Sequence, residues 1–160
     1  MGISYGRSED ISNEGWHPEA RDLRRIGARE RLSILLVDDD TSCLASLESL
    51  LCTDGHHTFA ARHAEEALAC ARALRTQNQR LDLSILDFHL PDLSGIQVYQ
   101  LLGQELPGLA AVFVSGDPSK SVEAEVRRVG GLALVRKPLD LARVRGAILH
   151  FERGDGFFVA

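Results

Sequence analysis

The stretch ILLVDDDTS, residues 34–42, runs four apolar residues directly into three carboxylates, Asp38, Asp39 and Asp40. The apolar part is typical of a strand that is buried on both faces, because such strands in parallel sheets are almost continuous apolar runs. Three like charges at the end of one strand repel each other. We therefore expect a cation beside them.

Outward from this stretch, apolar runs alternate with segments whose apolar residues recur at helical spacing. The predicted strands span 32–37, 57–61, 81–86, 110–114 and 132–135, and the predicted helices span 41–53, 64–76, 94–105, 119–129 and 139–152. Five strands that alternate with five helices predict an α/β fold, a doubly wound parallel sheet with helices on both faces. Such sheets bind ligands beyond the carboxyl ends of their strands.

The length of 160 residues and the 44% hydrophobic content are typical of one globular domain. We place that domain at residues 32–152. Residues 1–31 are expected to form a flexible or weakly helical extension, because they lack a strand pattern. The end of the chain, residues 153–160, carries apolar side chains after two glycines, and we expect it to dock on the domain or on a partner.

Charge and hydropathy exclude several classes of protein. The formal net charge is −5 and no basic stripe suggests direct binding of nucleic acid. No apolar run approaches the roughly 18 residues that a membrane helix needs, and the N-terminus lacks a signal-peptide core, so we expect a cytoplasmic protein without membrane insertion. Cys43, Cys52 and Cys70 lack a metal-binding spacing and are expected to be reduced packing residues.

Chemically reactive side chains follow four of the five predicted strands. Asp38 and Asp39 follow the first, Asp87 ends the third, Ser115 ends the fourth and Lys137 ends the fifth. Because these strand ends meet at one edge of a parallel sheet, the side chains are expected to converge. Clustered carboxylates suit Mg²⁺, and a carboxylate beside the metal can attack a phosphoryl group to form an aspartyl phosphate. A lysine and a serine can stabilise the transferred group.

Four motifs in this order, VDD at 37–39, LDFHLPDLSG at 86–95, VSG at 114–116 and KP at 137–138, resemble the response-regulator receiver domain of two-component signalling. The similarity covers about residues 32–152. It implies the flavodoxin-like strand order 2-1-3-4-5, which is the order of chemotaxis receivers.

The resemblance also implies roles for the acidic residues. Asp87 would accept a phosphoryl group from the phosphohistidine of a histidine kinase or a histidine phosphotransfer protein. Asp38, Asp39 and Asp87 would bind Mg²⁺ together with the backbone carbonyl of His89. For the His89 side chain, two interpretations stay open, a role toward the phosphoryl group and an exposed position in the loop. Asp40 or Thr41 is interpreted as the N-cap of the next helix.

The resemblance also implies roles for residues of the VSG and KP motifs. Ser115 would turn to bond the phosphoryl group, and Gly116 would leave room for its approach. Lys137 would pair with the phosphate, and Pro138 would follow it through a cis peptide bond. Leu134 occupies the position where many receivers carry a switching aromatic residue, so the conformational switch is expected to involve Ser115 and Leu134 without that ring.

Two competing hypotheses come from other classes of protein. The segment DDDTS also resembles the opening signature of haloacid-dehalogenase-type phosphatases, with Asp38 as nucleophile and Asp40 as acid and base, although too few acidic residues follow the lysine. Alternatively, the domain could be a binding module that works without phosphorylation. Our main prediction is a stand-alone receiver, not a turnover enzyme, that catalyses its own phosphotransfer and dephosphorylation. It would signal through an unidentified output partner or as a homodimer.

Overall fold

A computed structural model describes residues 31–117 and 119–160 of the chain. The predicted N-terminal extension therefore lies, up to residue 30, outside the described residues. The strands are β1 (Ser33–Val37), β2 (His57–Ala61), β3 (Leu83–Asp87), β4 (Ala110–Ser115), β5 (Ala133–Arg136) and β6 (Phe158–Val159). The helices are α1 (Thr41–Thr53), α2 (Ala64–Thr76), α3 (Gly95–Glu105), α4 (Lys120–Arg128) and α5 (Leu141–Arg153). None of these helices is long and apolar enough to cross a membrane.

The strands form one parallel sheet in the order β2-β1-β3-β4-β5-β6. This arrangement confirms the doubly wound α/β fold and the order 2-1-3-4-5. A sixth strand of two residues, β6, which the sequence did not predict, adds to the edge of the sheet beside β5. The chain leaves β1 in one direction for β2 and later returns on the other side for β3, so a crevice is expected at the carboxyl ends of β1 and β3.

Two apolar cores flank the sheet. Ile34 and Leu36 of β1 pack in the core that includes α1 and α5, whereas Leu35 and Val37 pack in the core that includes α2, α3 and α4. Alternate side chains of a strand point to opposite faces. The apolar run 34–37 is thus buried on both faces, as its composition predicts, and the polar residues after it are left at the edge of the sheet.

Side-chain caps start the helices close to the strand ends. The carboxylate of Asp40 accepts hydrogen bonds from the backbone N–H groups of Ser42 and Cys43, at 2.9 and 3.3 Å. This confirms Asp40 as the N-cap of α1. At α3, Ser94 and Gln97 form a reciprocal capping box. Because the caps fix where α1 and α3 begin, they also fix the short loops that carry the acidic residues.

The apolar tail folds back on the domain. Residues 158 and 159 pair in parallel with Ala133 and Leu134 of β5. Next to this pairing, the Ala160 N–H donates to the Leu134 carbonyl at 3.0 Å, and the Arg136 N–H donates to the Ala160 carbonyl at 2.8 Å. The tail therefore covers a sheet edge whose backbone groups would otherwise be unpaired.

Gly95 lets α3 approach the end of β3. A Cβ atom at this position would lie 2.3 Å from the carbonyl oxygen of Asp87 and 3.0 Å from the Cα atom of Phe88. The Gly95 N–H donates to the Phe88 carbonyl at 2.9 Å. This close backbone approach thus holds Asp87 at the end of β3, and it leaves no space for a side chain at position 95.

We expect Gly95→Ala to lower the free energy of unfolding by about 1–3 kcal/mol, because the new methyl group would overlap backbone atoms that cannot move independently. Gly116→Ala is the matched control, since a Cβ atom there would meet nothing closer than the Lys137 Cβ atom at 3.9 Å. Urea denaturation of both variants would check this. Equal stability of the two variants would contradict the steric explanation.

Candidate functional site

Three carboxylates meet at the carboxyl ends of β1 and β3, as the sequence predicts. One oxygen from each of Asp38, Asp39 and Asp87 lies within 4.8 Å of the others. Asp38 and Asp87 are buried, with exposed fractions of 3% and 6%, whereas Asp39 is exposed. The cluster is therefore open to solvent on the side of Asp39 and enclosed on the side of the sheet.

Lys137 joins the two buried carboxylates. Its Nζ atom lies 3.1 Å from Oδ2 of Asp38 and 2.8 Å from Oδ2 of Asp87. The backbone N–H of Lys137 donates to the Ser115 carbonyl at 2.8 Å, which fixes the start of the loop after β5. The peptide bond between Lys137 and Pro138 is cis, as expected from the resemblance. The lysine that follows β5, which the sequence predicted to face a phosphate, thus bridges two of the carboxylates in this conformation.

The two buried carboxylates have matching hydrogen bonds. Oδ1 of Asp38 accepts the Asp40 N–H at 2.9 Å, and Oδ1 of Asp87 accepts the His89 N–H at 3.0 Å. In each carboxylate the other oxygen faces Lys137. In each case the backbone N–H two residues later in the chain orients the carboxylate. The second oxygen of each carboxylate therefore points to the Lys137 ammonium group.

Burial and charge act in opposite directions on the pKa values at this site. Burial raises the pKa of Asp87, although the hydrogen bond from Lys137 and the His89 N–H oppose this effect. Burial alone would lower the pKa of Lys137, but the hydrogen bonds and negative charges of Asp87 and Asp38 outweigh it and raise that pKa. The lysine therefore stays charged, and the site keeps a fixed cation beside Asp87.

The donor set of the cluster fits a hard divalent cation. Three carboxylates face one ammonium group, so the ionised cluster keeps an excess of negative charge. Carboxylate oxygens are the ligands that Mg²⁺ prefers, and Mg²⁺ commonly keeps several water molecules, which the exposed side at Asp39 would allow. The role of the His89 carbonyl stays a prediction.

The His89 side chain is exposed, and its ring lies edge-on to Phe88 with 4.9 Å between ring centroids. Of its two interpretations, the structure favours an exposed loop residue.

Nearby, Asp92 has a role that sequence reasoning missed. Its carboxylate accepts the Ala64 N–H at 2.9 Å and so holds the loop after β3 against the start of α2. An acidic residue in a loop gives no sequence signal for a partner 28 positions away.

Ser115 and Leu134 occupy buried positions near the end of the sheet. Ser115 is fully buried, and its Oγ atom accepts the Asp117 N–H at 3.1 Å. Leu134 is also fully buried, within the core that includes α4. A Cβ atom at Gly116 would meet no protein atom closer than the Lys137 Cβ atom at 3.9 Å. In this conformation no protein contact therefore requires glycine there, and its role in leaving room for the phosphoryl group stays a prediction.

Cys43 lies beside the acidic cluster but is not a nucleophile candidate. Burial raises the pKa of its thiol to about 12, and a hydrogen bond to Asp38 acts in the same direction. A protonated thiol is a poor nucleophile. Cys43 and Cys70 are partly buried packing residues, as expected, whereas Cys52 is exposed and the packing prediction was wrong for it.

A family model for the response regulator receiver domain matches residues 34–149. The chain belongs to the response-regulator receiver family. Among relatives, the two-component response regulator ARR2 of Arabidopsis thaliana is 32% identical over 122 residues, which are 76% of this chain and 18% of that protein. ORR24 of Oryza sativa subsp. indica is 31% identical over 133 residues, 83% of this chain and 20% of its own. The chain thus spans about a fifth of the length of these curated relatives.

Solved receiver structures have the same fold. A CheY-like receiver domain protein from Methanospirillum hungatei JF-1 matches with a TM-score of 0.68 and 26% identity, over 78% of this chain and 96% of that one. Chemotaxis protein CheY4 of Vibrio cholerae matches with a TM-score of 0.67 over 76% of this chain and 99% of its own, and at 21% identity it supports the fold alone.

Membership of the receiver family removes the haloacid-dehalogenase interpretation. Geometry agrees with this, because Asp40, the supposed acid and base of a phosphatase, is occupied as the cap of α1. The carboxylate that Lys137 approaches most closely is Asp87 and not Asp38, the supposed nucleophile.

Proposed function

We propose that this receiver accepts a phosphoryl group on Asp87 from the phosphohistidine of a histidine kinase or a histidine phosphotransfer protein. The observation that carries the proposal is the position of Lys137, whose ammonium group lies 2.8 Å from Oδ2 of Asp87 and 3.1 Å from Oδ2 of Asp38. A fixed positive charge beside a buried carboxylate suits a site that receives a phosphoryl group.

In the transfer step, an Asp87 oxygen attacks phosphorus, the bond from phosphorus to the imidazole nitrogen breaks, and that nitrogen keeps the electron pair. Asp38, Asp39 and Asp87, with the His89 carbonyl, would hold Mg²⁺, which supplies positive charge to the transferring oxygens. Lys137 would pair with the phosphoryl oxygens. Water would later attack phosphorus, and the bond from phosphorus to the Asp87 oxygen would break, which releases phosphate and restores the carboxylate. The chain's own residues would thus catalyse both steps.

The signal would pass from the phosphorylated site to the rest of the domain. Ser115 would turn its hydroxyl to the phosphoryl group, and the loop after β4 would follow. With Leu134 buried at the switch position, the response would not depend on an aromatic ring of β5. We place this reaction in the cytoplasm, with output through a partner protein or a homodimer. The stand-alone organisation stays a prediction.

Phosphate uptake tests the proposed function directly. The full chain would be incubated with labelled acetyl phosphate with and without Mg²⁺, and incorporation into protein would be measured. We expect incorporation only with Mg²⁺. Incorporation in neither condition would favour the binding module that works without phosphorylation.

Asp38→Asn and Asp39→Asn should each weaken Mg²⁺ binding by at least about tenfold, because each removes a charged oxygen ligand. Titration calorimetry with MgCl₂ would measure this. The matched control is Asp40→Asn, which removes the same charge from the neighbouring position and keeps a good N-cap for α1. If all three variants lose affinity equally, general charge and not coordination holds the metal.

A further inference from the structure

The tail, residues 154–160, packs on α4 as well as on β5. The Phe157 ring lies under the guanidinium of Arg127 in α4, with 4.4 Å from the Arg127 Cζ atom to the ring centroid. Phe157 is partly buried against the core that includes α4. A cation over an aromatic face is an attractive contact. The tail therefore bridges β5 and α4.

Arg136 connects the tail to the loop between β4 and α4. Its backbone N–H donates to the Ala160 carbonyl at 2.8 Å, and its Nη1 atom donates to the Asp117 carbonyl at 2.8 Å. One residue thus contacts both segments. The Arg136 side chain is 27% exposed, so the bond to Asp117 is partly shielded from water.

The hydroxyl of Ser115 holds the same loop. Ser115 Oγ accepts the Asp117 N–H at 3.1 Å, and the carboxylate of Asp117 accepts the Ser119 N–H at 2.8 Å. A continuous series of hydrogen bonds therefore runs from Ser115 through Asp117 and Arg136 to Ala160. A change in the direction of the Ser115 hydroxyl would alter its first bond.

We propose that the tail is a phosphorylation-dependent cover over the edge of β5, an inference that rests on the proposed function. When Ser115 turns to the phosphoryl group, its Oγ atom stops accepting the Asp117 N–H. The loop after β4 then moves, Arg136 loses its bond to the Asp117 carbonyl, and the tail leaves β5. The departure exposes the Leu134 carbonyl and the Arg136 N–H as unpaired groups.

The tail is built for easy release. Its strand has two residues, and short strands with few hydrogen bonds open at low free-energy cost. Gly154 ends α5 in the left-handed conformation at φ 69°, and a Cβ atom at Gly156 would meet no atom within 4 Å. The His150 ring of α5 contacts the Gly156 carbonyl and the Asp155 carboxylate, so the released part of the tail is the segment after Gly156.

The uncovered edge would fit an extended peptide segment of a partner protein. Such a segment can add to an open sheet edge through backbone hydrogen bonds, while side-chain contacts select it. By analogy with Phe157, the partner would place an aromatic side chain under Arg127. The tail is then an intrachain competitor for the same surface, and phosphorylation decides which of the two binds.

Hydrogen exchange of the full chain tests this inference, with the phosphate mimic beryllofluoride and Mg²⁺ as the probe. We expect the amides of Arg136 and Ala160, which bond across this edge, to exchange at least about tenfold faster when beryllofluoride is bound. Bound beryllofluoride would be verified independently by its ¹⁹F resonance. Unchanged exchange of these amides in the bound protein would overturn the proposed cover while leaving the proposed function intact. Absence of a bound ¹⁹F resonance would overturn both.

Ser115→Ala supplies the matched variant. Without the hydroxyl, the Asp117 N–H lacks its acceptor in both states, so tail exchange should be the same with and without beryllofluoride at concentrations where the ¹⁹F resonance shows the mimic bound to the variant. Arg136→Gln should speed tail exchange without beryllofluoride toward the rate of the beryllofluoride-bound wild type, because it removes the bond to the Asp117 carbonyl. Circular dichroism would verify that both variants fold. A full beryllofluoride response of the tail in Ser115→Ala would contradict the hydrogen-bond route from Ser115.

Discussion

Asp87→Asn should incorporate no measurable phosphate from acetyl phosphate or a phosphorylated partner. The amide keeps the shape of the side chain and can still face Lys137, but its nitrogen and carbonyl oxygen lack the charge of the attacking carboxylate. We expect the rate to fall at least about a thousandfold, as is typical when a nucleophile is removed. Intact-protein mass spectrometry after incubation with acetyl phosphate and Mg²⁺ would measure the loss.

Asp39→Asn is the control for this experiment. At saturating Mg²⁺ it should regain much of its incorporation, because it loses a ligand and keeps the nucleophile. Asp87→Asn should not recover at any Mg²⁺ concentration. Phosphate on the Asp87→Asn protein at the wild-type level would show that another residue is the acceptor.

Lys137→Arg should retain Mg²⁺ binding but lose the conformational response to phosphorylation. The ammonium is a compact charge within 2.8 and 3.1 Å of two carboxylate oxygens, whereas the arginine guanidinium is a wider planar group that cannot occupy the same position. The chain has 16 arginines and two lysines, and the residue before Lys137 is Arg136. In this arginine-rich context, a lysine at the end of β5 indicates a geometric requirement and not only a need for charge.

Amide hydrogen exchange over residues 115–137, with and without beryllofluoride, would measure the response of Lys137→Arg. Lys120→Arg is the matched control, because Lys120 is the other lysine of the chain and is exposed at the start of α4. It should respond as the wild type does. If Lys137→Arg also responds fully, positive charge alone is sufficient and the geometric argument is wrong.

The sheet and its polar edge could be predicted from sequence because the pattern for each strand and its end lies within a short stretch of the chain. A strand buried on both faces requires an apolar run, and the run 34–37 is followed at once by the residues that lie at the edge. The other strand ends carry Asp87, Ser115 and Lys137, and parallel topology alone brings such ends together. Fold and convergence could therefore be predicted from spacing.

The bonds within the site depend on tertiary structure and could not be predicted in the same way. Lys137 was expected to face a phosphate. Its bridge between Asp38 and Asp87 depends on the register of β1, β3 and β5, which sets how far each strand extends toward the carboxyl edge of the sheet. The contact from Asp92 to the start of α2 depends on how the loop after β3 folds over that helix. In both cases, no pattern within a short window of sequence encodes the partner.

The sixth strand was missed for a different reason. Residues 158 and 159 form too short a segment to show a strand pattern, and their conformation follows from the open edge of β5 and from the contact of Phe157 with Arg127. Apolar composition predicted that the tail would dock. It could not indicate which surface the tail would contact.

The most direct test of the central claim is the chemical location of the phosphoryl group. An aspartyl phosphate is reduced by borohydride to homoserine, which peptide sequencing by mass spectrometry assigns to one residue. After incubation with acetyl phosphate and Mg²⁺, we predict homoserine at position 87 and at no other aspartate, and none when Mg²⁺ is removed. Homoserine at position 38 or 39, or no homoserine in protein that binds Mg²⁺, would contradict the account.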